Sequence, residues 1–135
     1  MAVPIQMCNY LPLIGQLRNP TLSVVVVTQN CAEQLRLMLT TVAPVADEII
    51  VVDGGSSDHT EEVVASFQLA RYIERPFRDD IADQKNFAIG QATCDWVCVL
   101  DSDETVGQEF RDVVRDLIKS RWHSAYEFPR YWLCS

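Results

Sequence analysis

Ser23-Val24-Val25-Val26-Val27-Thr28 decides how the rest of the chain is read. Four consecutive valines without polar alternation suit a strand covered on both faces, the condition of a strand inside a parallel sheet. Downstream, Leu35, Met38, Leu39 and Val42 recur at helical spacing over 32–42, and Pro44 ends that helix. A second apolar strand, 48–52, runs directly into Asp53-Gly54-Gly55-Ser56-Ser57-Asp58. Asp58 and Glu61 have capping-box spacing for a helix that carries Val63, Val64 and Phe67 on one side. Further on, a strand is expected over 70–74, a helix over 81–92, and a strand over 96–100 ending in Asp101-Ser102-Asp103-Glu104. A helix over 106–120 follows, with Phe110, Val113, Val114, Leu117 and Ile118 as its apolar stripe, and then a last strand from Ala125 to Leu133. Upstream, residues 1–20 hold Pro4, Pro12, Gly15 and Pro20 and show no period, so they read as an irregular leader to one domain over 21–135.

Alternating strands and helices make an α/β fold, with a mainly parallel sheet and helices on both faces. Ligands of such sheets bind beyond the carboxyl ends of the strands. That rule selects residues 28–30, 53–58 and 101–104, three polar segments that each follow an apolar strand.

The chain has 135 residues, 48% hydrophobic and 22% charged, which is enough apolar material for a core. Its formal net charge of -8 excludes the basic footprint that nucleic acid requires. A nucleotide remains compatible, because a divalent cation reverses the local sign of a site. No run approaches the roughly 18 apolar residues of a membrane span. The first cation is Arg18, so a secretory signal is not expected, and the reading is a cytoplasmic protein, peripheral at most at the inner face of the membrane. Cys8, Cys31, Cys94, Cys98 and Cys134 are odd in number and irregularly spaced, as reduced thiols are.

Asp101 and Asp103 stand two apart, which in extended chain puts both carboxylates on one side. Hard oxygen donors so placed suit Mg²⁺ or Mn²⁺ shared with substrate phosphates, although an acidic turn before a helix has the same composition. Asp53, at a strand end before two glycines, suits a hydrogen bond to a base or ribose, whereas Asp58 suits a helix cap. Lys85, near Asp79, Asp80 and Asp83, suits either a phosphate contact or an ordinary helix surface.

Four segments occur in order: Val-Val-Val-Val-Thr-Gln-Asn at 24–30, Ile-Ile-Val-Val-Asp-Gly-Gly-Ser-Ser-Asp-His-Thr at 49–60, Gln-Lys-Asn-Phe-Ala at 84–88 and Asp-Trp-Val-Cys-Val-Leu-Asp-Ser-Asp-Glu at 95–104. Together they resemble the N-terminal, nucleotide-sugar-binding half of family-2 glycosyltransferases of the GT-A fold, in the manner of bacterial lipopolysaccharide-core and cell-surface enzymes. The resemblance implies a Rossmann-like half-domain with its first four strands in the spatial order 3-2-1-4. It implies that Thr28, Asn30 and Glu33 lie near the base and ribose, that Asp53 contacts the base, and that Lys85 and Asn86 lie near the diphosphate and sugar. Asp101 would lie by ribose and metal, and Asp103 would be the main ligand of Mg²⁺ or Mn²⁺. The donor would be a nucleotide-diphospho-sugar and the acceptor a cell-surface glycan or lipid. The family's catalytic base is a carboxylate of the second half, expected beyond Ser135, so sugar transfer by this stretch alone is not expected. An uncovered last strand, 125–133, would favour self-association or a partner that completes the domain.

Two other readings compete. Val97–Thr105 also matches the Asp-x-Asp-x-Thr strand end of haloacid-dehalogenase-type phosphatases, but that motif opens its domain and would leave Asp53 without a role. A non-catalytic module that holds a nucleotide or a protein partner is the third.

Overall fold

The computed structural model describes residues 5–9, 18–120 and 123–131. Ten elements follow one another: β1 (Ile5–Asn9), β2 (Leu22–Thr28), α1 (Ala32–Val42), β3 (Glu48–Asp53), α2 (Thr60–Ala65), β4 (Ala70–Glu74), α3 (Ile81–Gly90), β5 (Trp96–Asp101), α4 (Gln108–Lys119) and β6 (Ala125–Phe128). They build one six-stranded sheet in the order β4-β3-β2-β5-β1-β6.

The four strands separated by helices are parallel and lie as the resemblance implied, with β2 at the centre between β3 and β5. Every residue of β2 is buried, as four adjacent valines require. The complete order differs from the four-strand expectation, because β1 and β6 extend the β5 side in antiparallel register. Part of the stretch read as an irregular leader is therefore strand β1. Its signal is short: within Ile-Gln-Met-Cys-Asn, Gln6 is exposed and Met7 fully buried, which is too little alternation to register as a period beside the nearby prolines.

The two faces of the sheet are unequal. Val24 and Val26 turn toward α1, α2 and α4, where Leu35, Leu39, Val63, Phe110 and Val114 close the larger core. Val25 and Val27 turn toward α3 alone, against Ala88 and Phe87. Tyr126 and Phe128, expected to lack cover, pack on the larger core instead. Tyr126 lies 5.5 Å from the Trp96 ring, and Phe128 stands edge-on to Phe110 at 4.8 Å. The last strand ends at Phe128; Tyr131 is exposed, and Trp132 and Leu133 lie outside the described residues. Among the described residues, no helix is long and apolar enough to cross a membrane.

Candidate functional site at the carboxyl edge of the sheet

Parallel pairing aligns the strand ends. Thr28 of β2 lies opposite Asp53 of β3, and Val27 lies opposite Asp101 of β5. Asp53 and Asp101 therefore flank the central strand along one edge, roughly 10 Å apart at two strand spacings. All three polar segments selected from the sequence meet there.

The 53–58 loop is locked internally. Asp53 Oδ1 accepts hydrogen bonds from the Gly55 and Ser56 amides and from Ser56 Oγ at 2.7–3.1 Å, while Oδ2 accepts from Tyr72 Oη at 2.7 Å. Asp53 is wholly buried, so these donors replace the water its charge would otherwise require. Burial, reinforced by the Asp53 carboxylate, raises the Tyr72 phenol above its ordinary range and keeps it a donor. Asn30 takes a positive φ of 52°, a conformation asparagine tolerates, and its Oδ1 accepts from the Ser57 amide at 2.8 Å. This ties the β2 loop to the β3 loop. Asp58 acts structurally. It accepts from the Ala32 amide at the start of α1 and from the Thr60 amide at the start of α2. The Thr60 hydroxyl bond leads the causes that lower its carboxyl pKa. His59, not Asp58, occupies the cap position of α2, and Asp58 acts from one residue earlier. Glu33 is exposed and pairs with His59 Nε2 at 2.7 Å.

Next to this locked loop is an open cleft lined by Val27, Thr28, Gln29, Gly54, Phe77, Ile81 and Gln84. Thr28 is 6% exposed, and its Oγ1 has no hydrogen-bond partner among the described residues. Phe77 and Ile81 were not singled out in the sequence, and Gln29, inside the selected 28–30 segment, was given no role of its own. Phe77 and Ile81 are placed by the chain's turn after β4, for which no local motif exists.

On the β5 side, Lys85 of α3 reaches Asp101 Oδ1 at 2.6 Å, while Asn86 is exposed. Glu104 Oε2 accepts the Asp101 amide at 2.8 Å, and Arg130 Nε lies 2.9 Å from Glu104 Oε1. Burial raises the Glu104 carboxyl pKa, and the neighbouring charges of Asp101 and Asp103 add to it. Arg130, beyond β6, is the contributor that sequence order hid. Asp103 is exposed and makes no hydrogen bond or ion pair among the described residues.

Among the described residues, no group of three or more carboxylate, imidazole or thiol side chains converges as a metal cage. The donor set still fits a divalent cation of the phosphate-sharing kind, which needs one or two carboxylates and takes its other ligands from phosphate and water. Asp103 has no ion pair or hydrogen bond among the described residues, and the Asp101 side chain is 37% exposed at the same turn.

The match to known proteins is consistent along the chain. The family model for glycosyl transferase family 2 matches residues 23–123. An uncharacterized glycosyltransferase of Rickettsia prowazekii is 30% identical over 105 residues, which is 78% of this chain and 35% of that protein. A lipopolysaccharide core biosynthesis glycosyltransferase, LpsC of Rhizobium meliloti, is 35% identical over 75 residues, covering 53% of this chain and 27% of that protein. Among solved structures, residues 1–349 of S. aureus TarS superpose with a TM-score of 0.65 at 23% identity, over 73% of this chain and 32% of that one. The mannosyltransferase PcManGT of Pyrobaculum calidifontis, solved with GDP-Man and Mn²⁺, superposes with a TM-score of 0.64 at 24% identity, over 76% of this chain and 32% of that one. The chain thus spans little more than a third of the Rickettsia prowazekii relative. The order of its sequence segments, its mainly parallel sheet and the family match over 23–123 agree, and the chain belongs to glycosyl transferase family 2.

Proposed function

We propose that the carboxyl edge of β3, β2 and β5 binds a nucleotide-diphospho-sugar with Mg²⁺ or Mn²⁺, for inverting transfer to a glycan or lipid acceptor at the cell envelope. The observation that carries this reading is the Lys85–Asp101 ion pair, which places a cation from α3 beside the Asp-x-Asp turn. A diphosphate bound there would meet Lys85 as a point charge. Asp101 and Asp103 would hold the divalent ion, which when bound stabilises negative charge on the departing nucleoside diphosphate. Asp53, Thr28 and Asn30 would define the nucleoside end, and Asn86 would lie toward the diphosphate and sugar. Glu33, paired with His59, is the least direct of the proposed contacts.

The chemistry proposed for the whole protein is displacement at the anomeric carbon by an acceptor hydroxyl. The base that takes its proton is assigned to none of the described residues. A cytoplasmic site, peripheral to the inner face of the membrane, matches a nucleotide donor and a lipid or glycan acceptor. The likeness to LpsC supports an envelope acceptor.

Titration calorimetry with UDP and GDP, with and without Mn²⁺, tests the donor reading. Binding is expected to depend on Mn²⁺, and Asp103→Asn is expected to abolish that dependence. Asp103 is exposed and unpaired, so the substitution should leave thermal unfolding unchanged. Equal affinity for wild type and Asp103→Asn would refute the metal assignment.

A further inference from the structure

We propose that Arg130 is a positioning residue for the Asp-x-Asp turn: acting through Glu104, it fixes the turn that presents Asp103 to a divalent cation, without touching the donor itself. This rests on the donor reading above and concerns how its cation site is built.

One residue closes the turn twice. The Glu104 amide donates to Asp101 O at 3.0 Å, and the Asp101 amide donates to Glu104 Oε2 at 2.8 Å. Glu104 thus holds residues 101–104 with its backbone and with one carboxylate oxygen. Its other oxygen, Oε1, lies 2.9 Å from Arg130 Nε, and Arg130 Nη1 lies 3.9 Å from Asp101 Oδ2. The Arg130 Nε–H is buried and is not aligned on an acceptor among the described residues, so the contact with Glu104 is an ion pair. The Arg130 and Glu104 side chains are 21% and 20% exposed, against 30% and 37% for Lys85 and Asp101. A pair withdrawn from water is screened less than an exposed one, so it constrains the turn more.

Charge explains why the turn needs this cation. Asp101, Asp103 and Glu104 put three carboxylates within four residues, and like charges that close repel. Lys85 meets Asp101 Oδ1 at 2.6 Å from the α3 side, and Arg130 meets Glu104 from the β6 side. Downstream, the Val106 amide donates to Thr41 Oγ1 at 3.1 Å, which ties the chain to α1. The stretch is therefore held at Asp101, Glu104 and Val106, while Asp103 between them has no hydrogen bond or ion pair among the described residues. A free carboxylate on a braced turn keeps its place with no partner of its own. Groups that orient a metal ligand in this way act without reaching the metal.

Two plainer roles account for less. As a tie for β6, Arg130 would be redundant: it stands beyond the end of that strand, which the ladder with β1 and the rings of Tyr126 and Phe128 already hold. As a phosphate contact it is poorly aimed, because its guanidinium faces two carboxylates and its Nε–H is buried.

The test is titration calorimetry of wild type, Arg130→Gln, Glu104→Gln and the double variant with UDP and GDP, each with and without Mn²⁺. Arg130→Gln should weaken the preferred nucleoside diphosphate in Mn²⁺ by about tenfold, the low end for losing a group that orients a metal ligand. Its metal-free affinity should stay as in wild type. Glu104→Gln keeps an oxygen for the Asp101 amide but loses the ion pair, so it should show the same loss. The double variant should lose no more than either single one, because both act through one brace. Tighter binding of Arg130→Gln in Mn²⁺ would overturn the inference, since it would mean that Arg130 supplies only opposing charge. A parallel fall in metal-free affinity would overturn it in favour of direct contact with the nucleotide. Unchanged affinity in Mn²⁺ would leave Arg130 as scaffold, and losses that multiply in the double variant would separate it from Glu104; either result also overturns the inference. Failure of wild type to bind either nucleotide, or to bind more tightly with Mn²⁺, would instead defeat the donor reading, and this inference with it. Thermal unfolding confirms that folded proteins are compared. If Arg130→Gln does not fold, Glu104→Gln decides alone, and undiminished affinity in Mn²⁺ for that variant overturns the brace.

Discussion

Asp53 and Thr28 lie side by side in register, and their side chains are in opposite states. Asp53 is saturated by four protein donors, whereas Thr28 Oγ1 has no partner among the described residues. This contrast predicts opposite responses to substitution. Asp53→Ala would leave the Tyr72 hydroxyl and two amides without an acceptor, so it should destabilise the fold by several kcal/mol. Any loss of nucleotide binding in that variant would then be mixed with unfolding. Thr28→Val should do the reverse: removing an unsatisfied buried hydroxyl at constant shape should stabilise by about 1 kcal/mol. The midpoint of thermal unfolding should rise by about 4 °C at this chain size. Nucleotide affinity should fall in the same variant. A lower melting temperature for Thr28→Val, measured by calorimetric scanning, would show that the hydroxyl has a partner in solution. Cys98 offers a simpler residue-level check. Burial raises its thiol pKa to about 12, so alkylation at neutral pH should reach it only after unfolding, as peptide mapping would reveal.

The elements were legible where one physical signal dominated. Four valines suit a buried strand, and of the stripe read over 106–120, Phe110, Val114 and Ile118 form the buried face of α4, while Leu117 is half-buried and Val113 is exposed. The strand ends then located the polar loops, because parallel register leaves all carboxyl ends on one edge. Illegible were the features made by long-range pairing: β1 against β5, Arg130 against Glu104, and Phe77 against Gly54. Each joins residues whose own neighbours carry no period or motif. The anchoring of α4 belongs to that group and yields a pH prediction. Arg115 forms a two-pronged pair with Asp47 at 2.7 and 3.0 Å, and Asp47 Oδ2 also accepts the Leu22 amide. The bond to Arg115 is the leading cause that holds the Asp47 carboxyl below its ordinary value. A depressed folded pKa contributes stability that is full above the unfolded carboxyl's pKa and is lost as pH falls through the folded value. Asp47→Asn should therefore be less stable than wild type at neutral pH, and the gap should close as pH falls below about 4. Urea unfolding at neutral and acid pH measures both. A gap that stays constant with pH would mean that the charge contributes nothing and only the hydrogen bonds hold α4.

At the scale of the whole molecule, β6 is the edge strand of the sheet on the β5 side. From sequence, Tyr126 and Phe128 belonged to an uncovered apolar edge. In the fold they alternate inward, and β6 leaves Ala125 and Glu127 as its exposed residues. A four-residue edge carrying a charge is one of the ways sheets avoid pairing with a second copy. Two substitutions separate core from edge. Phe128→Ala removes the edge-on contact with Phe110 and should cost about 3 kcal/mol, the low end for a core phenylalanine because this one is only partly buried. It should leave the mass in solution unchanged. Glu127→Val touches no core contact, but it removes the charge and raises strand propensity on an unpaired edge. Light scattering over a dilution series should show that Glu127→Val associates more strongly than wild type while melting at nearly the same temperature. Equal mass for both proteins at the highest concentration would mean that the charge does not guard the edge; strong association of Phe128→Ala would mean that the aromatic pair, not Glu127, keeps β6 from a neighbour.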